Sequence, residues 1–330
     1  MLSVRENLLE TIHGGRPDRF VNQYEYMELI VDPIVMAFGD DVDMGSERVN
    51  EWGVKLCYPE GTPGPFPLCE GEDKLIKDIT EWKSVLSQAR APESFSEEEW
   101  APAVKQAAAV NRKDKFAATF FYPGIFEKLH YFMGMEDAMV GFYEEPEAMH
   151  DLIDWLTDWE IRCAAESIRH YHPDALFHHD DWGSQRSSFL SPGMFEEFLL
   201  PAYKKIYGFW KANGVELIVH HSDSYAANLV PYMVEIGIDI WQGAVQENDI
   251  PAVLKEYGGK ISIHGGLDNG KYDTWDWNSE KIRDGLEKFM QSTGGKYIIP
   301  GFTIGGPMTT FEGAYQAASD AIDDLSRKYF

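Results

Sequence analysis

From about residue 116 onward, short apolar segments alternate with longer amphipathic segments, and this alternation constrains the fold more than any other feature. Within the short segments, apolar and polar residues do not alternate, which is typical of strands buried on both faces of a parallel sheet. A succession of such strands and helices predicts an α/β fold. The predicted strands are FAATFF (116–121), ALFHH (175–179), ELIVHH (216–221), IDIWQ (238–242), ISIHG (261–265) and KYIIPG (296–301).

The segments between these strands carry apolar residues at helical spacing. The pattern predicts a helix over 192–213 with a kink at Pro201, because proline cannot donate a backbone hydrogen bond inside a helix. It also predicts a helix over 225–236 that stops at Gly237, and a C-terminal helix over 311–328.

Two earlier segments, RFVNQY (19–24) and the weaker WGVKLCY (52–58), bring the predicted strands to eight. No glycine-rich dinucleotide-binding loop opens any of the predicted helices, which argues against an open dinucleotide-binding sheet. The sequence therefore predicts a single (β/α)8 (TIM) barrel domain over residues 1–330, with N-terminal helical additions. In this prediction, residues 25–115 contribute extra helices and a lid.

Composition excludes several classes of protein. The net charge of −26 argues against binding to nucleic acid, whose phosphates would be repelled. No apolar run approaches the roughly 20 residues of a membrane span, and the charged N-terminus lacks the apolar centre of a signal peptide. Cys57, Cys69 and Cys163 form no CxxC pair, so neither a disulfide framework nor a cysteine-rich zinc site is indicated. We expect a soluble, cytoplasmic protein.

Polar residues are concentrated where the predicted strands end. FHHDDWG (177–183) and VHHSDS (219–224) each place two histidines and at least one aspartate at the carboxyl end of a strand. Consecutive barrel strands are neighbours, and their carboxyl ends line the active-site mouth. Because alternate residues of a strand point to opposite faces, only one histidine of each pair need face this mouth. Other strands are followed by Tyr122, Glu127, Gln242, Gln246, His264 and Asp268.

Each of these residues also has a purely structural interpretation. Asp180 and Asp181 could cap the following turn or helix, and the glycines at 305–306 could serve only a tight turn. Several titratable residues at one mouth nevertheless favour a functional site. The pair His221-x-Asp223 could supply two ligands for zinc or another divalent metal, and the same groups could act as acid and base without metal.

Segments spread over nearly the whole chain resemble the uroporphyrinogen decarboxylase superfamily, which implies a (β/α)8 barrel. Their order and spacing carry the resemblance together, since each segment alone is weak. The segments are RENLLETIHGGRPDRF (5–20), NEWGVKLCYPEG (50–61), DDWGSQRSSFLSPGMFEEFLLPAYKKI (180–206), HHSDS (220–224), EIGIDIWQGAVQ (235–246) and HGGLD (264–268).

The superfamily has two main chemistries, and the sequence of this chain can be compared with the motifs of each. True uroporphyrinogen decarboxylases bind the carboxylates of their substrate with an arginine-rich N-terminal motif, whereas NQYEYMELI (22–30) contains no arginine. The chain is similar instead to the corrinoid-dependent methyltransferases, whose zinc-binding members use a His-x-Cys pair and a C-terminal cysteine. Here the pair is His221-x-Asp223, and GFTIGGPMTT (301–310) lacks cysteine. This harder ligand set suits an oxygen-bearing substrate.

The resemblance therefore implies O-demethylation, in which a methyl group moves from a small methyl ether to a corrinoid (cobalamin) cofactor. The D-x-H-x-x-G signature of corrinoid binding is absent, so a partner corrinoid protein would carry the cofactor. An acid or a metal ion must stabilise the departing oxygen. We predict His221 and Asp223 as metal ligands or acid, with Asp180 or Asp181 orienting them. The predicted substrate contacts are Tyr122, His178, Trp182, Gln242 and His264.

Two other functions stay open on the sequence. A decarboxylase of a small carboxylate could use acid–base residues at the same mouth without a partner protein. A barrel that only binds a ligand is the non-enzymatic alternative, because one fold hosts several activities.

Overall fold

A computed structural model describes residues 1–62 and 64–330, and its central feature is a parallel sheet of seven strands. In chain order the strands are β1 (Met27–Ile30), β2 (Glu47–Val49), β3 (Lys55–Cys57), β4 (Phe66–Leu68), β5 (Phe116–Phe121), β6 (Ala175–His179), β7 (Leu217–His221), β8 (Ile240–Ala244), β9 (Ser262–Leu267) and β10 (Ile298–Phe302). The parallel sheet has the order β1-β5-β6-β7-β8-β9-β10, and β2-β3-β4 form a separate antiparallel sheet.

The parallel sheet is curled, because side chains from both of its edge strands meet in one buried cluster. Met27 of β1 and Ile299 of β10 belong to this cluster, together with Phe177 and Val219 from the middle of the sheet. A second and larger cluster fills the layer between the sheet and the helices, and Trp241 and Tyr203 are among its fully buried members. This is the burial expected for parallel strands that are covered on both faces.

The α/β class and the parallel sheet are confirmed, and all six strands predicted after residue 115 are present. The strand predicted at 19–24 is wrong, because the strand lies at Met27–Ile30. Gln23 has a φ of 51°, and its side-chain amide donates to the carbonyl oxygen of Tyr315, so the chain turns there. The segment 52–58 contributes β3 to the small sheet. The described residues therefore place seven strands in the parallel sheet, where eight were predicted.

Helices connect the strands and cover the outer face of the sheet. They are α1 (Val4–Ile12), α2 (Pro33–Phe38), α3 (Trp82–Leu86), α4 (Glu97–Ala109), α5 (Ile125–Met133), α6 (Met135–Glu144), α7 (Pro146–Tyr171), α8 (Pro192–Met194), α9 (Leu200–Ala212), α10 (Val230–Ile236), α11 (Ile250–Tyr257), α12 (Asn269–Tyr272), α13 (Ser279–Thr293) and α14 (Ala314–Tyr329). Short 3₁₀ segments lie at Gly71–Asp73, Ile79–Glu81, Pro92–Ser94, Ala227–Leu229, Gln246–Asn248 and Pro307–Thr309.

Local sequence explains several helix boundaries. Ser3 caps α1 through a reciprocal hydrogen-bond pair with Glu6, which satisfies backbone donors at the first turn. Gly237 ends α10 in the left-handed conformation, with a φ of 90°, as predicted. The segment predicted as one helix with a kink at Pro201 consists of α8, a π-helical turn at Phe195–Leu199, and α9, in whose first turn Pro201 lies.

Residues 25–115 hold β1 and the small sheet as well as helices α2, α3 and α4. Leu29 and Asp40 of this segment lie at the cavity described below. Its action as a lid stays a prediction. Over the described part of the chain, no helix combines the length and the apolar character needed to cross a bilayer.

Candidate active site

The paired histidines lie side by side at the carboxyl ends of β6 and β7. The register aligns His178 with His220 and His179 with His221. The rings of His179 and His221 are stacked, with centroids 4.2 Å apart and an interplanar angle of 17°. Sequence analysis required only one histidine of each pair to face the mouth, and the aligned pair that faces it is His179 and His221.

The other aligned pair, His178 and His220, points toward the helix layer, because side chains alternate along a strand. The hydroxyl of Tyr207 lies 2.7 Å from the Nδ1 atom of each of these rings. Burial lowers the pKa of both histidines well below the ordinary range, so both rings are neutral. His178, which was predicted to contact the substrate, is 1% exposed and lies behind the sheet.

A cavity of about 600 Å³ opens at this end of the sheet. Its lining combines aromatic rings with titratable groups, and no lysine or arginine is among the described lining residues. The loop after β10, which contains Gly305 and Gly306, forms one side of the cavity. The lining residues are Tyr24, Leu29, Asp40, Phe120, Tyr122, Glu127, Tyr131, Phe177, His179, Asp181, His221, Asp223, Ile304, Gly305, Gly306, Pro307 and Thr309.

His179 is paired with Glu127 from the first turn of α5. The Nδ1 atom of His179 lies 2.9 Å from Oε2 of Glu127, and the carboxylate is 8% exposed. Burial raises the pKa of Glu127 to about 7 although His179 lowers it. For His179, burial opposes protonation, but Glu127, Asp181 and Asp223 outweigh it and raise its pKa to about 10. In the metal-free chain the two residues thus form an ion pair at the cavity surface, in which Glu127 is buried and His179 is partly exposed.

His221 is held in one orientation by Gln242 of β8. The Nδ1 atom of His221 contacts Oε1 of Gln242, whose Nε2 donates to the carbonyl oxygen of Thr303 at 2.9 Å. Burial and the neighbouring His179 lower the pKa of His221 to about 4, so this ring is neutral. Gln242 was predicted to contact substrate, yet it is 0% exposed and supports His221 from behind.

Asp181 and Asp223 complete the polar side of the cavity. The backbone N–H of Asp223 donates to Oδ1 of Asp181 at 3.0 Å, which orients that carboxylate. The same oxygen lies 4.0 Å from Nε2 of His221. Burial and the charge of Asp181 raise the pKa of Asp223 to about 8. Close approach is possible here because residue 243 is glycine, with a φ of 97°, and a Cβ would lie 3.0 Å from the Asp223 backbone.

The side chains that come together as potential metal ligands differ from the predicted pair, His221 and Asp223, which stays a prediction. One nitrogen of His179, one nitrogen of His221 and one carboxylate oxygen of Asp181 all lie within 4.8 Å of one another. Among the described residues, Asp223 does not join this cluster. Its contact with the cluster is made by its backbone N–H, which donates to Asp181. These three residues are therefore the ones that fit a divalent metal such as zinc.

Asp180 and Trp182 are both buried behind the cavity. The Asp180 carboxylate accepts from the backbone N–H groups of Phe126 at 3.0 Å and Glu127 at 2.8 Å, and from Nε1 of Trp182 at 3.0 Å. It therefore caps α5, whose own N-cap residue is Gly124. Neither residue is among the described lining residues of the cavity, and Asp180 holds the helix that carries Glu127. The catalytic role of Asp180 and the substrate contact of Trp182 stay predictions.

Of the remaining residues predicted to contact the substrate, one lines the cavity and one does not. Tyr122 lines the cavity, where burial and Asp40 raise the pKa of its hydroxyl above the ordinary range. His264 is 0% exposed inside the curled sheet, with Nδ1 located 3.2 Å from the hydroxyl of Tyr26. Burial lowers the pKa of His264 to about 3, so it is a neutral interior residue.

Two residues at the centre of the site, His179 and Glu127, were absent from the predicted set. His179 could have been found from the strand register, because it stands at the position of β6 equivalent to His221 of β7. Glu127 was noted after β5, but nothing in the sequence signals its pairing with His179. That contact depends on how α5 is anchored to Asp180.

Comparisons with known proteins agree with this architecture. A family model described as uroporphyrinogen decarboxylase (URO-D) matches residues 70–322, which is more than half of the chain. A methyltransferase from Methanosarcina mazei has a similar structure, with a TM-score of 0.64 and 14% sequence identity. That match covers 98% of this chain and 99% of that chain, and at this identity it shows a shared fold.

A second solved structure is much less similar. It is the apo form of the 3-keto-D-glucoside 4-epimerase YcjR from E. coli, with a TM-score of 0.34, 14% identity, and coverage of 62% of this chain and 95% of that chain. This score is too low to support an argument. None of the curated proteins matches the sequence.

Proposed function

Because this chain belongs to the uroporphyrinogen decarboxylase family, we propose that it is a methyltransferase that moves a methyl group from a small methyl ether to a corrinoid carried by a partner protein. The solved methyltransferase from Methanosarcina mazei has a similar fold over nearly the whole of both chains, which supports the choice of branch within the family. The residues that line the cavity support the choice of a methyl ether as the substrate.

The observation that carries this proposal is the lining of the cavity. Tyr24, Phe120, Tyr122, Tyr131 and Phe177 supply aromatic surface, which suits an apolar or aryl methyl ether. The volume of about 600 Å³ lies within the range of small-molecule sites, so the substrate would fit while the corrinoid approaches from outside.

Charge disfavours the decarboxylase alternatives. The cavity is lined by Asp40, Glu127, Asp181 and Asp223, and the described lining residues include no lysine or arginine to bind a substrate carboxylate. In the metal-free chain a carboxylated substrate would therefore enter beside four acidic groups, with His179 as the cationic group among the described lining residues. A polycarboxylated porphyrinogen fits even less well, in agreement with the arginine-free segment 22–30.

The chemistry requires a nucleophile and a means of stabilising the leaving oxygen. The reduced corrinoid supplies the nucleophile that accepts the methyl group. In this chain the aromatic residues would hold the donor, and Asp223, whose pKa is raised to about 8, would act as the acid toward its oxygen. His221 and Asp181 would act as part of a cation site, with the backbone N–H of Asp223 orienting Asp181. His179 and Glu127 form the ion pair beside them.

A substrate panel tests this proposal. The protein is mixed anaerobically with cob(I)alamin and with methoxylated aromatics, aliphatic methyl ethers and small carboxylates, and methylcobalamin is followed by its absorbance. We expect conversion with an uncharged methyl ether, and no release of CO₂ from the carboxylates. Failure of the whole panel with both free cob(I)alamin and the cognate corrinoid protein would contradict methyl transfer. Release of CO₂ would move the function to decarboxylation.

A further inference from the structure

The three residues His179, Asp181 and His221 have a feature beyond their closeness. Each histidine has its Nδ1 atom engaged by an oxygen atom from another element, and the Asp181 carboxylate is fixed by a backbone N–H. Histidines that bind a metal usually donate their other ring N–H to a carboxylate or carbonyl oxygen, which sets the tautomer and the orientation. The hydrogen bonds that would orient the ligands of a metal site are therefore present.

For His221 the hydrogen bonds settle which nitrogen is free. The carbonyl oxygen of Thr303 can only accept, so the NH₂ group of Gln242 must face it. The amide oxygen of Gln242 then faces His221, whose Nδ1 must carry the hydrogen and donate. The lone pair of His221 is consequently on Nε2, the atom that lies 4.0 Å from Oδ1 of Asp181.

The same reasoning applies to His179. Its Nδ1 faces the carboxylate of Glu127 at 2.9 Å, and a carboxylate prefers to accept. A metal ion would therefore bind the Nε2 atom, with loss of the proton that this nitrogen carries in the metal-free ion pair. Glu127 is 8% exposed and is held in place because the backbone N–H of the same residue donates to Asp180.

The geometry points to a mononuclear site for a divalent metal ion, and we propose that His179 Nε2, His221 Nε2 and the Asp181 carboxylate bind zinc or a similar ion. Tetrahedral zinc, with ligand distances of about 2.0–2.2 Å, separates its ligand atoms by about 3.4 Å. The ligand atoms here all lie within 4.8 Å of one another, so small side-chain movements close the site. Glu127 and Gln242 support the two histidines.

Charge and access agree with this assignment. Four carboxylates line the cavity without a lysine or arginine among the described lining residues, and a divalent cation would offset part of that negative charge. Two histidines and one carboxylate leave a coordination position open, as in catalytic rather than structural zinc sites. That position faces a cavity of about 600 Å³, so a substrate oxygen could reach it.

The proposed ligands differ from the predicted ones in identity and in the strands that supply them. The ligands come from two adjacent strand ends, β6 and β7, instead of from the single stretch His221-x-Asp223. Asp223 contributes its backbone amide, which orients Asp181. The assignment stands on geometry alone, and it holds whether or not the chain transfers methyl groups.

The test measures metal binding without methyl donor or corrinoid. The purified chain is stripped with a chelator, and Zn²⁺ binding is measured by calorimetry; Co²⁺ is added separately, because its visible spectrum reports four-coordinate geometry. We expect one ion per chain. His179→Ala, His221→Ala and Asp181→Ala should each weaken Zn²⁺ binding by at least about 100-fold, and Gln242→Leu by about 10- to 100-fold. The exposed His13, at the end of α1, provides the matched control His13→Ala, which should bind as the wild type.

Several outcomes would overturn the site. They are no Zn²⁺ bound at one per chain, binding that survives all three ligand substitutions, or equal weakening by His13→Ala. If a histidine variant fails to fold, Asp181→Asn and Gln242→Leu still decide, since circular dichroism can verify their folds. Loss of Zn²⁺ binding in these variants supports the metal site. Unchanged Zn²⁺ binding would mean that the three residues form an acid–base cluster and not a metal site. Because no methyl donor is present, a negative result here is separate from failure of the proposed function.

Discussion

Replacing His221 with alanine is expected to lower methyl-transfer turnover by about 10²- to 10³-fold, because it removes a proposed ligand of the cation that would stabilise the developing oxyanion. His221 is 3% exposed, stacks on His179, and has its Nδ1 atom fixed by Gln242. The loss should fall mainly on kcat, because the aromatic surface that is proposed to bind the donor is untouched. Stopped-flow measurement of methylcobalamin formation over a range of donor concentrations separates kcat from KM.

The control for His221→Ala is His13→Ala, which removes an exposed histidine far along the chain from the site. Thermal unfolding of both variants verifies that the fold persists. Gln242→Leu should show a smaller loss of turnover, of about 10- to 100-fold, because the His221 ring remains but loses the hydrogen bond that orients it. Near-normal turnover in His221→Ala, with the fold retained, would remove His221 from the site.

Replacing Lys128 with methionine is expected to destabilise the protein by about 3–5 kcal/mol, because it leaves a buried carboxylate without its partner. Lys128 is 1% exposed, and its Nζ donates to Glu160 at 2.6 Å and to the carbonyl oxygen of Pro123 at 2.6 Å. Glu160 is itself 2% exposed, and its pKa is raised to about 7 by burial although Lys128 lowers it. Chemical denaturation of the variant and the wild type measures the difference in the free energy of unfolding.

The pH dependence of this effect has a definite sign. The pKa of Glu160 in the folded chain is raised above its ordinary value of 4.5 to about 7. Its contribution to stability is therefore fully present below about pH 4.5 and is lost as pH rises through about 7. Removing the Lys128 ammonium raises this pKa further, so the destabilisation should be larger at about pH 8 than at about pH 5.

The double variant Lys128→Met/Glu160→Gln is the matched control for Lys128→Met. It removes the unpaired charge and should recover most of the lost free energy of unfolding. A Lys128→Met variant as stable as the wild type at about pH 8, or a double variant no more stable than the single one, would contradict the buried pair.

The strands after residue 115 could be predicted because each is a continuous apolar run, the pattern of a strand buried on both faces. The N-terminal part gave no such pattern. The segment 19–24 is apolar enough to resemble a strand, but Gln23 turns the chain through a left-handed conformation and binds α14 through its side chain. That interaction joins residues 292 apart in sequence, so no local pattern signals it.

The sequence predicted several residues of the candidate site but not the contacts between them. His221, Asp181, Asp223 and Tyr122 line the cavity as the strand-end argument indicates. His179 lines the cavity and His178 does not. The alternation of side chains identifies which of the two faces the cavity only when it is combined with the register between β6 and β7.

Asp180 illustrates a different limit. It has the same residue type and nearly the same position as Asp181, yet it is 0% exposed and caps α5. Gly124 allows this approach, since a Cβ there would lie 2.3 Å from Cβ of Asp180. Which of two adjacent aspartates reaches the cavity depends on that packing, and single-sequence patterns do not contain it.

The measurement that tests the central claim most directly is a single-turnover reaction with a methyl ether whose methyl group carries ¹³C. The chain and its cognate corrinoid protein, in the reduced state, are mixed with the labelled donor identified by the panel, and ¹³C NMR follows the label. The account predicts that the label appears on the corrinoid, with one equivalent of the demethylated alcohol or phenol formed for each methyl group transferred. Label retained in the donor while a carboxylate substrate releases CO₂, or label released as methanol without methylation of the corrinoid, would contradict it.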